Sequence, residues 1–173
     1  GALTLPLAEK SKVVHAIEID PFLINLLNKS KPCNIKLYNE NILDWQYEKS
    51  ENDTNIFIVG NLPYYITSPT IFKFLTENYW NKMIIMVQKE VGQRIISKTS
   101  TKNYSRISVM CQCFCNVKHE FNISKNVFIP KPKVESTILS FYKKKINLDI
   151  KKFSFFIKQC FSKRRKTLKN NLK

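Results

Sequence analysis

A series of short apolar runs, with helix signals between them, constrains the fold of this chain more than any other feature. Runs of this length indicate buried strands, and a helix between consecutive strands allows them to pair in parallel. We therefore predict an α/β domain with a largely parallel sheet. The predicted strands cover residues 13–19, 35–38, 55–59, 82–87, 114–121 and 134–142.

Two cap signals support the helices that this pattern requires. The sequence Asp20-Pro21 joins an N-cap residue to a proline suited to the first helical turn, and it predicts a helix that ends at Leu27. The sequence Thr67-Ser68-Pro69 repeats that signal before a predicted helix at residues 71–76. Two further helices are predicted at residues 89–97 and 153–161.

Size and cysteine content narrow the class of protein. A chain of 173 residues suits one domain, and no apolar stretch approaches the roughly 20 residues of a membrane-spanning helix. The N-terminus lacks the basic and apolar regions of a signal peptide. Five cysteines without metal-site spacing, and two histidines that form no set with them, favour buried free thiols. We expect a cytoplasmic protein that binds neither a membrane nor a metal.

The net charge of +16 predicts an acidic partner. A basic surface attracts phosphate backbones, anionic lipids or acidic proteins, and charge alone does not choose among them. The segment from Phe141 to Lys173 holds twelve Lys or Arg and one acid, Asp149. This clustering favours a localised binding surface over a uniform compositional bias.

The sequence Asn61-Leu62-Pro63-Tyr64 directly follows an apolar strand, where ligands of open α/β sheets bind. Residues of these types suit chemistry on an adenine amine, whose lone pair is delocalised into the ring. The Asn61 side-chain oxygen and the Pro63 carbonyl can accept hydrogen bonds from both N–H groups and direct the lone pair at a methyl donor. Tyr64 offers a flat face for an unstacked base. An ordinary turn that ends a strand is the alternative.

Polar residues also follow the first two predicted strands. Glu18 ends the first, where an acid can receive both hydroxyls of a ribose, and Ile19 can pack on an adenine face. Asn41 follows the second and can hydrogen-bond an adenine amine, with Ile42 against the ring. Each alone is equally compatible with an ordinary surface residue. Because Glu18, Asn41 and Asn61 follow successive strands, we expect all three to line one edge of the sheet.

Several segments, in order from one end of the chain to the other, carry a specific resemblance. The chain strongly resembles the KsgA-type ribosomal RNA small-subunit adenine dimethyltransferases. The matching residues are 16–20 (AIEID), 61–64 (NLPY) with 68–69 (SP), 87–91 (VQKEV) with Arg94, 104–109 (YSRISV), 128–136 (FIPKPKVES) and 161–168 (FSKRRKTL).

The resemblance implies a Rossmann-like methyltransferase fold and S-adenosyl-L-methionine as the methyl donor. The implied substrate is a pair of adjacent adenines near the 3′ end of small-subunit rRNA, within a pre-ribosomal small subunit. Each adenine would receive two methyl groups on N6. We expect a monomer that contributes to ribosome biogenesis, in the cytoplasm or in an organelle with its own ribosomes.

Motif matches also imply residue roles. Glu18 would bind the cofactor ribose, Asn41 would face the cofactor adenine, and Gly1 matches the last glycine of the family's glycine-rich cofactor loop. The family usually has Asp where this chain has Asn41, which can still accept a hydrogen bond. Asn61 would contact both cofactor and target base, and Tyr64 would hold the base. The remaining implied site residues are Phe128, which would stack on the base, and the RNA-binding Lys163, Arg164, Arg165 and Lys166.

The resemblance also predicts domain boundaries. The family's glycine-rich loop would lie just before Gly1, its first strand would precede that loop, and a small helical domain would follow the Arg-Arg-Lys-Thr sequence. We therefore expect an internal portion of a longer chain, unstable alone because that strand is normally central and a sheet without it exposes two unpaired edges. Residues 1–160 would form an N-terminally truncated catalytic domain, and residues 161–173 the basic start of the helical domain.

Two other functions stay open on the sequence. A resistance-type methyltransferase that modifies large-subunit rRNA shares the fold and an Asn-x-Pro-Tyr core, although Leu62 and the Gln88–Val91 run fit the small-subunit branch better. A non-catalytic RNA-binding assembly factor on the same fold would need only the basic tail.

Overall fold

The computed structural model describes residues 1–50, 53–163 and 166–172. The chain forms two compact units, Gly1–Glu48 and Lys49–Lys173. Both alternate helices with strands, so the predicted α/β class is confirmed.

The first unit consists of a two-stranded parallel sheet and two helices. The strands pair from Val14↔Ile35 to Glu18↔Asn39. Asp20 caps the second helix as predicted, because its Oδ1 accepts a hydrogen bond from the Phe22 N–H at 2.8 Å and Pro21 occupies the first turn. The elements are α1 (Thr4–Ala8), β1 (Val14–Glu18), α2 (Pro21–Asn28) and β2 (Ile35–Asn39).

An aromatic cluster forms much of the interior of this unit. The His15 ring stacks on Tyr38, with centroids 5.6 Å apart, and its Nδ1 is hydrogen-bonded to the Tyr38 hydroxyl at 2.8 Å. Trp45, only 7% exposed, contacts the Tyr38 ring edge to face. The cluster therefore fixes the chain that follows β2, where Asn41 and Ile42 lie.

The second unit contains a four-stranded sheet in the order β3-β4-β6-β5. The pairing of β3 with β4 is parallel, whereas β6 is antiparallel to both β4 and β5. The elements are β3 (Phe57–Asn61), α3 (Tyr64–Thr76), β4 (Lys82–Gln88), α4 (Lys89–Ile95), α5 (Arg106–Phe114), β5 (Cys115–Ile123), a 3-10 turn (Lys125–Val127), β6 (Ser136–Lys143), α6 (Ile150–Cys160) and α7 (Leu168–Asn171).

The core of the second unit lies along the two central strands. Burial of apolar side chains such as Met83, Ile85, Leu139 and Phe141, each no more than 1% exposed, is the main stabilising contribution to this sheet. Helix α4 packs closely on β6 at Gly92, because a Cβ atom there would overlap the Thr137 methyl group. The chain that leaves β4 is thereby held against the start of β6.

The predicted strands are present, but they form two sheets rather than one within the described residues. Glu18 belongs to the sheet of the first unit, and Asn61 ends a strand of the other. The expectation that Glu18, Asn41 and Asn61 line one sheet edge is therefore not met. Among the described residues, β1 and β2 pair with each other and not with the second sheet, so Glu18 and Asn61 end strands of different sheets.

One predicted helix begins earlier than expected, and helix α5 was not predicted. Helix α3 begins at Tyr64, with Pro63 as its N-cap residue, and Pro69 lies inside it rather than at its start. The Thr67 side chain donates to the Pro63 carbonyl at 3.3 Å and therefore does not cap a later helix. Helix α5 was not predicted from its apolar, cysteine-rich sequence; its start is fixed by the Ser105 N–H, which donates to Ser108 Oγ at 3.0 Å.

Candidate active site

The turn after β1 is held by hydrogen bonds between side chains and the backbone. Glu18 is half-buried, and its Oε1 accepts from the Asp20 N–H at 3.0 Å. The Asn39 amide donates to the Glu18 and Ile19 carbonyls at 3.1 and 3.0 Å, which ties the ends of β1 and β2 together. Within the described residues no hydrogen bond reaches Glu18 Oε2, so this oxygen can bind a hydroxyl. Ile19 is 65% exposed beside it.

The turn after β2 uses the Asn41 side chain internally. The side-chain oxygen Oδ1 of Asn41 accepts from the Leu43 N–H at 3.0 Å. The backbone carbonyl of Asn41 accepts from the Asp44 and Trp45 N–H groups. Because the Leu43 N–H is a donor, the side-chain atom that it contacts must be the amide oxygen of Asn41. The NH₂ group therefore faces outward from the turn. Asn41 and Ile42 are both half-buried. The side chain thus directs its NH₂ group outward, and Oδ1 keeps one lone pair with which it can still accept a hydrogen bond.

In the second unit, Asn61 is the last residue of β3 and its side chain is exposed. Among the residues that the structure describes, none hydrogen-bonds the Asn61 amide. Both its oxygen and its nitrogen are therefore accessible to a ligand at the carboxyl end of this strand.

The Pro63 carbonyl is occupied by the start of α3. It accepts from the Ile66 N–H at 3.1 Å and from Thr67 Oγ1 at 3.3 Å, which uses both lone pairs. The preceding carbonyl, that of Leu62, receives no hydrogen bond from any described residue. Of the two carbonyls after Asn61, only that of Leu62 has free acceptor capacity.

Tyr64 is the first residue of α3 and is half-buried. Its hydroxyl is hydrogen-bonded to Ser136 Oγ at 2.7 Å, so the ring is held at its far end. Tyr65, the next residue, is 82% exposed and lacks this restraint. Phe128 is half-buried after the 3-10 turn, and the Ile129–Pro130 peptide bond that follows is cis.

An ion pair anchors the segment between Phe128 and β6. The Lys89 ammonium donates to Glu135 Oε2 at 2.6 Å, and the Lys89 N–H donates to the Glu135 carbonyl at 2.9 Å. The hydrogen bond from Lys89 lowers the pKa of the Glu135 carboxyl below its usual value. Because both side chains are largely exposed, the backbone bond contributes more to the position of this segment than the charges do.

The basic C-terminal segment lies near a surface cavity of about 350 Å³. Lys163 and Lys166 line this cavity together with Lys102, whereas Arg164 and Arg165 lie outside the described residues. The Asn171 amide donates to the Cys160 carbonyl at 2.8 Å, which holds α7 against the end of α6. The predicted lysines are thus exposed on a structured surface that suits phosphate groups.

The other predicted features have mixed outcomes. Gly1 is exposed, and its carbonyl accepts from the Leu5 N–H at 3.0 Å. All five cysteines are free, but only Cys111 and Cys115 are buried. Burial raises the pKa of the Cys111 thiol, and it raises the pKa of the Cys115 thiol to about 11.

In the described ranges, no helix has the length and apolar content to cross a bilayer, and no three potential metal ligands cluster.

Two residues of this region were not predicted to belong to the site. The sequence indicated Leu62 only as a mark of the small-subunit branch, yet its backbone carbonyl lies beside Asn61 and accepts no hydrogen bond from any described residue. Ser136 lies 72 residues from Tyr64 in sequence, and only the fold brings their hydroxyls together. Its one signal was its position at the start of a predicted strand, inside a segment that carries the family resemblance.

The sequence of the chain matches a family model and several named relatives. A family model described as ribosomal RNA adenine dimethylase matches residues 1–173. The chain is 45% identical over 179 residues to ribosomal RNA small subunit methyltransferase A of Mycoplasma mobile, covering 100% of this chain and 68% of the relative. It is 40% identical over 175 residues to the protein of the same name from Thermotoga petrophila, covering 100% of this chain and 65% of the relative.

Two solved structures of RNA-modifying methyltransferases are also similar to the chain. A dimethyladenosine transferase from Plasmodium falciparum superposes with a TM-score of 0.85 at 28% identity, covering 99% of this chain and 63% of that one. The 23S rRNA methyltransferase ErmE gives a TM-score of 0.75 at 25% identity, covering 99% and 70%. The chain spans about two thirds of the length of the relatives it matches. It belongs to the ribosomal RNA adenine dimethylase family and is an S-adenosylmethionine-dependent rRNA methyltransferase with the Rossmann-like fold of that class.

Proposed function

We propose that this protein dimethylates N6 of two adjacent adenines near the 3′ end of small-subunit rRNA. The names of its relatives support the choice of subunit. The single observation that carries the site assignment is the exposed Asn61 amide at the end of β3, to which no described residue is hydrogen-bonded, three residues before the restrained Tyr64.

Asn61 and Leu62 supply the two acceptors that the reaction needs. The Asn61 oxygen and the Leu62 carbonyl accept from the two N–H groups of the adenine amine, which favours a pyramidal nitrogen with a directed lone pair. The Pro63 carbonyl is replaced in this role, because its lone pairs are engaged by Ile66 and Thr67. Pro63 instead fixes the backbone at the start of α3.

Two aromatic side chains hold the target base. The Tyr64 ring provides a stacking face, and Phe128 provides a second. Positioning accounts for most of the rate enhancement, because a well-aligned nitrogen needs no strong general base before it attacks. The proton leaves N6 during or after the transfer.

The first unit supplies the cofactor contacts in this proposal. Glu18 Oε2 receives the ribose hydroxyls, the exposed Ile19 and half-buried Ile42 flank the adenine, and Asn41 hydrogen-bonds its edge. Gly1 belongs to the same binding segment. These side chains fit the cofactor because an unused carboxylate oxygen and apolar surface lie together at the ends of β1 and β2. S-adenosyl-L-methionine supplies the electrophilic methyl group when bound.

The basic segment that contains Lys163, Arg164, Arg165 and Lys166 binds the rRNA backbone. We expect a monomer that acts in the cytoplasm on a pre-ribosomal small subunit and so contributes to ribosome biogenesis. The domain boundary at residue 160 stays a prediction.

Replacement of Asn61 tests the proposed site. Asn61→Ala should lower methyl transfer by at least about 10²-fold, since one preorganised contact to the reacting group is lost. Methyl groups are counted and mapped on both ribosomal subunit RNAs with the full-length protein. Asn116→Ala, an exposed asparagine on β5, is the matched control and should retain activity.

The same maps separate the alternatives. Modification of large-subunit RNA alone would contradict the proposed substrate. RNA binding without transfer by the wild-type protein would indicate an assembly factor, and full activity of Asn61→Ala would remove Asn61 from the site.

A further inference from the structure

One hydrogen bond connects the proposed base-binding residue to the interior of the second unit. The Tyr64 hydroxyl and Ser136 Oγ lie 2.7 Å apart. Ser136 is fully buried, at 0% exposure, whereas Tyr64 is half-buried. The bond thus joins a side chain at the proposed site to a side chain that no ligand can reach.

The backbone of Ser136 is held on three sides. It is the first residue of β6 and pairs with Gln88 of β4 and with Ile123 of β5. The residue before it, Glu135, accepts the Lys89 N–H at 2.9 Å. A buried serine on a strand that is paired on both sides has little freedom, so its Oγ is a fixed point for the Tyr64 ring.

Tyr64 needs such a fixed point. A tyrosine side chain rotates about two bonds, and the half-buried Tyr64 ring is not fully enclosed by neighbouring residues. The hydrogen bond fixes the hydroxyl oxygen and with it the first rotation. It restricts the second rotation because the hydrogen-bonding directions of a phenolic oxygen lie near the plane of the ring. The ring face then keeps one orientation before any base arrives, which lowers the entropy lost on binding.

We propose that Ser136 is a positioning residue for the target base: it holds the Tyr64 ring in the orientation in which an adenine stacks on it. This inference rests on the proposed function, because it assigns the base to Tyr64. It also assigns the Tyr64 hydroxyl to anchoring rather than to proton transfer, since that hydroxyl is already bonded to a buried partner.

Three variants of the full-length protein test the inference: Ser136→Ala, Tyr64→Phe and the double variant. Each single change removes one hydroxyl from the pair and leaves the tyrosine-type ring in place. Single-turnover methyl transfer should fall by about 2- to 13-fold in each, the span expected for one hydrogen bond. The double variant should be no slower than the slower single variant, because both changes remove the same bond. Affinity for S-adenosyl-L-methionine should not change.

A second readout separates positioning from general stability. An rRNA fragment that carries 2-aminopurine at the target position reports base stacking by its fluorescence. Ser136→Ala and Tyr64→Phe should change that fluorescence in the same direction. Ser140→Ala is the matched control: it removes another buried hydroxyl from β6, on the same face four residues further on, and should behave as wild type in both assays.

The outcomes are distinguishable. If the wild-type protein transfers methyl groups and Ser136→Ala is equally fast with unchanged fluorescence, the role of Ser136 is refuted while the proposed function stands. Additive losses in the double variant, or equal losses in Ser140→Ala, would also refute it. If the wild-type protein transfers no methyl group to adenine, the proposed function fails and this inference falls with it.

Discussion

At the scale of single residues, the cofactor-binding turn depends on which atom of Asn41 faces outward. The Leu43 N–H occupies the side-chain oxygen, so the amide presents its NH₂ group. An adenine amine is itself a donor and needs an acceptor. Asn41, which stands where the family usually has Asp, therefore offers that amine only the remaining lone pair of Oδ1, and its NH₂ group suits a ring nitrogen.

Asn41→Asp should replace the NH₂ group with a second acceptor for the cofactor amine. A carboxylate can accept from the Leu43 N–H with one oxygen and from the cofactor amine with the other. We expect the dissociation constant for S-adenosyl-L-methionine to fall by about 3- to 10-fold, the size of one added hydrogen bond. Titration calorimetry measures it, with Asn116→Asp as a control for added charge. Weaker binding by Asn41→Asp would contradict the assignment of this turn to the cofactor adenine.

At the scale of elements, the packing of α4 on β6 leaves no room for a side chain at Gly92. An alanine normally stabilises a helix relative to glycine by about 1 kcal/mol. Here the added methyl group would overlap the Thr137 methyl group, and Thr137 is only 2% exposed and cannot move aside. The cost of this overlap therefore outweighs the gain in helix propensity that alanine would bring at Gly92.

Gly92→Ala should accordingly destabilise the protein by about 1–3 kcal/mol, as overpacked cores do. Thr137→Ser removes the obstructing methyl and keeps the hydroxyl that donates to the Phe121 carbonyl. The double variant should recover most of the lost stability. Chemical denaturation measures each free energy of unfolding, and failure of Thr137→Ser to rescue Gly92→Ala would show that another contact limits this helix.

Elements whose signals are local could be predicted from the sequence. Helix α2 followed its Asp20-Pro21 cap, and every predicted strand is present near its expected place. Helix α3 was placed too late, because the Thr67-Ser68-Pro69 sequence imitates a cap while Pro63 provides the real one without a side-chain bond. The Tyr64–Ser136 bond depends on a contact distant in sequence, which periodicity does not encode.

At the scale of the whole molecule, charge sets the affinity for RNA. The net charge is +16, and Lys163 and Lys166 line a cavity at the end of the basic segment. Each contact between a cation and a phosphate releases a counterion, so RNA affinity should fall steeply with salt.

Lys163→Ala combined with Lys166→Ala should reduce the slope of log affinity against log salt by about 1.5, since two phosphate contacts are lost. Filter binding of an rRNA fragment over a salt series measures the slope. Lys10→Ala with Lys12→Ala removes the same charge from exposed positions of the first unit and should change the slope less. An equal change in both pairs would indicate diffuse attraction rather than a binding surface.

The cap of α3 has a consequence for the RNA. With the Pro63 carbonyl engaged in the helix and the neighbouring ring tied to the sheet, this loop has little freedom to reshape itself around a stacked nucleotide. The nucleic acid must therefore do the deforming, at a cost of a few kcal/mol for each extruded base. We expect the enzyme to select its substrate partly by the cost of extruding the base. Adenines in a strained or unpaired loop should therefore be modified far faster than the same sequence within a duplex.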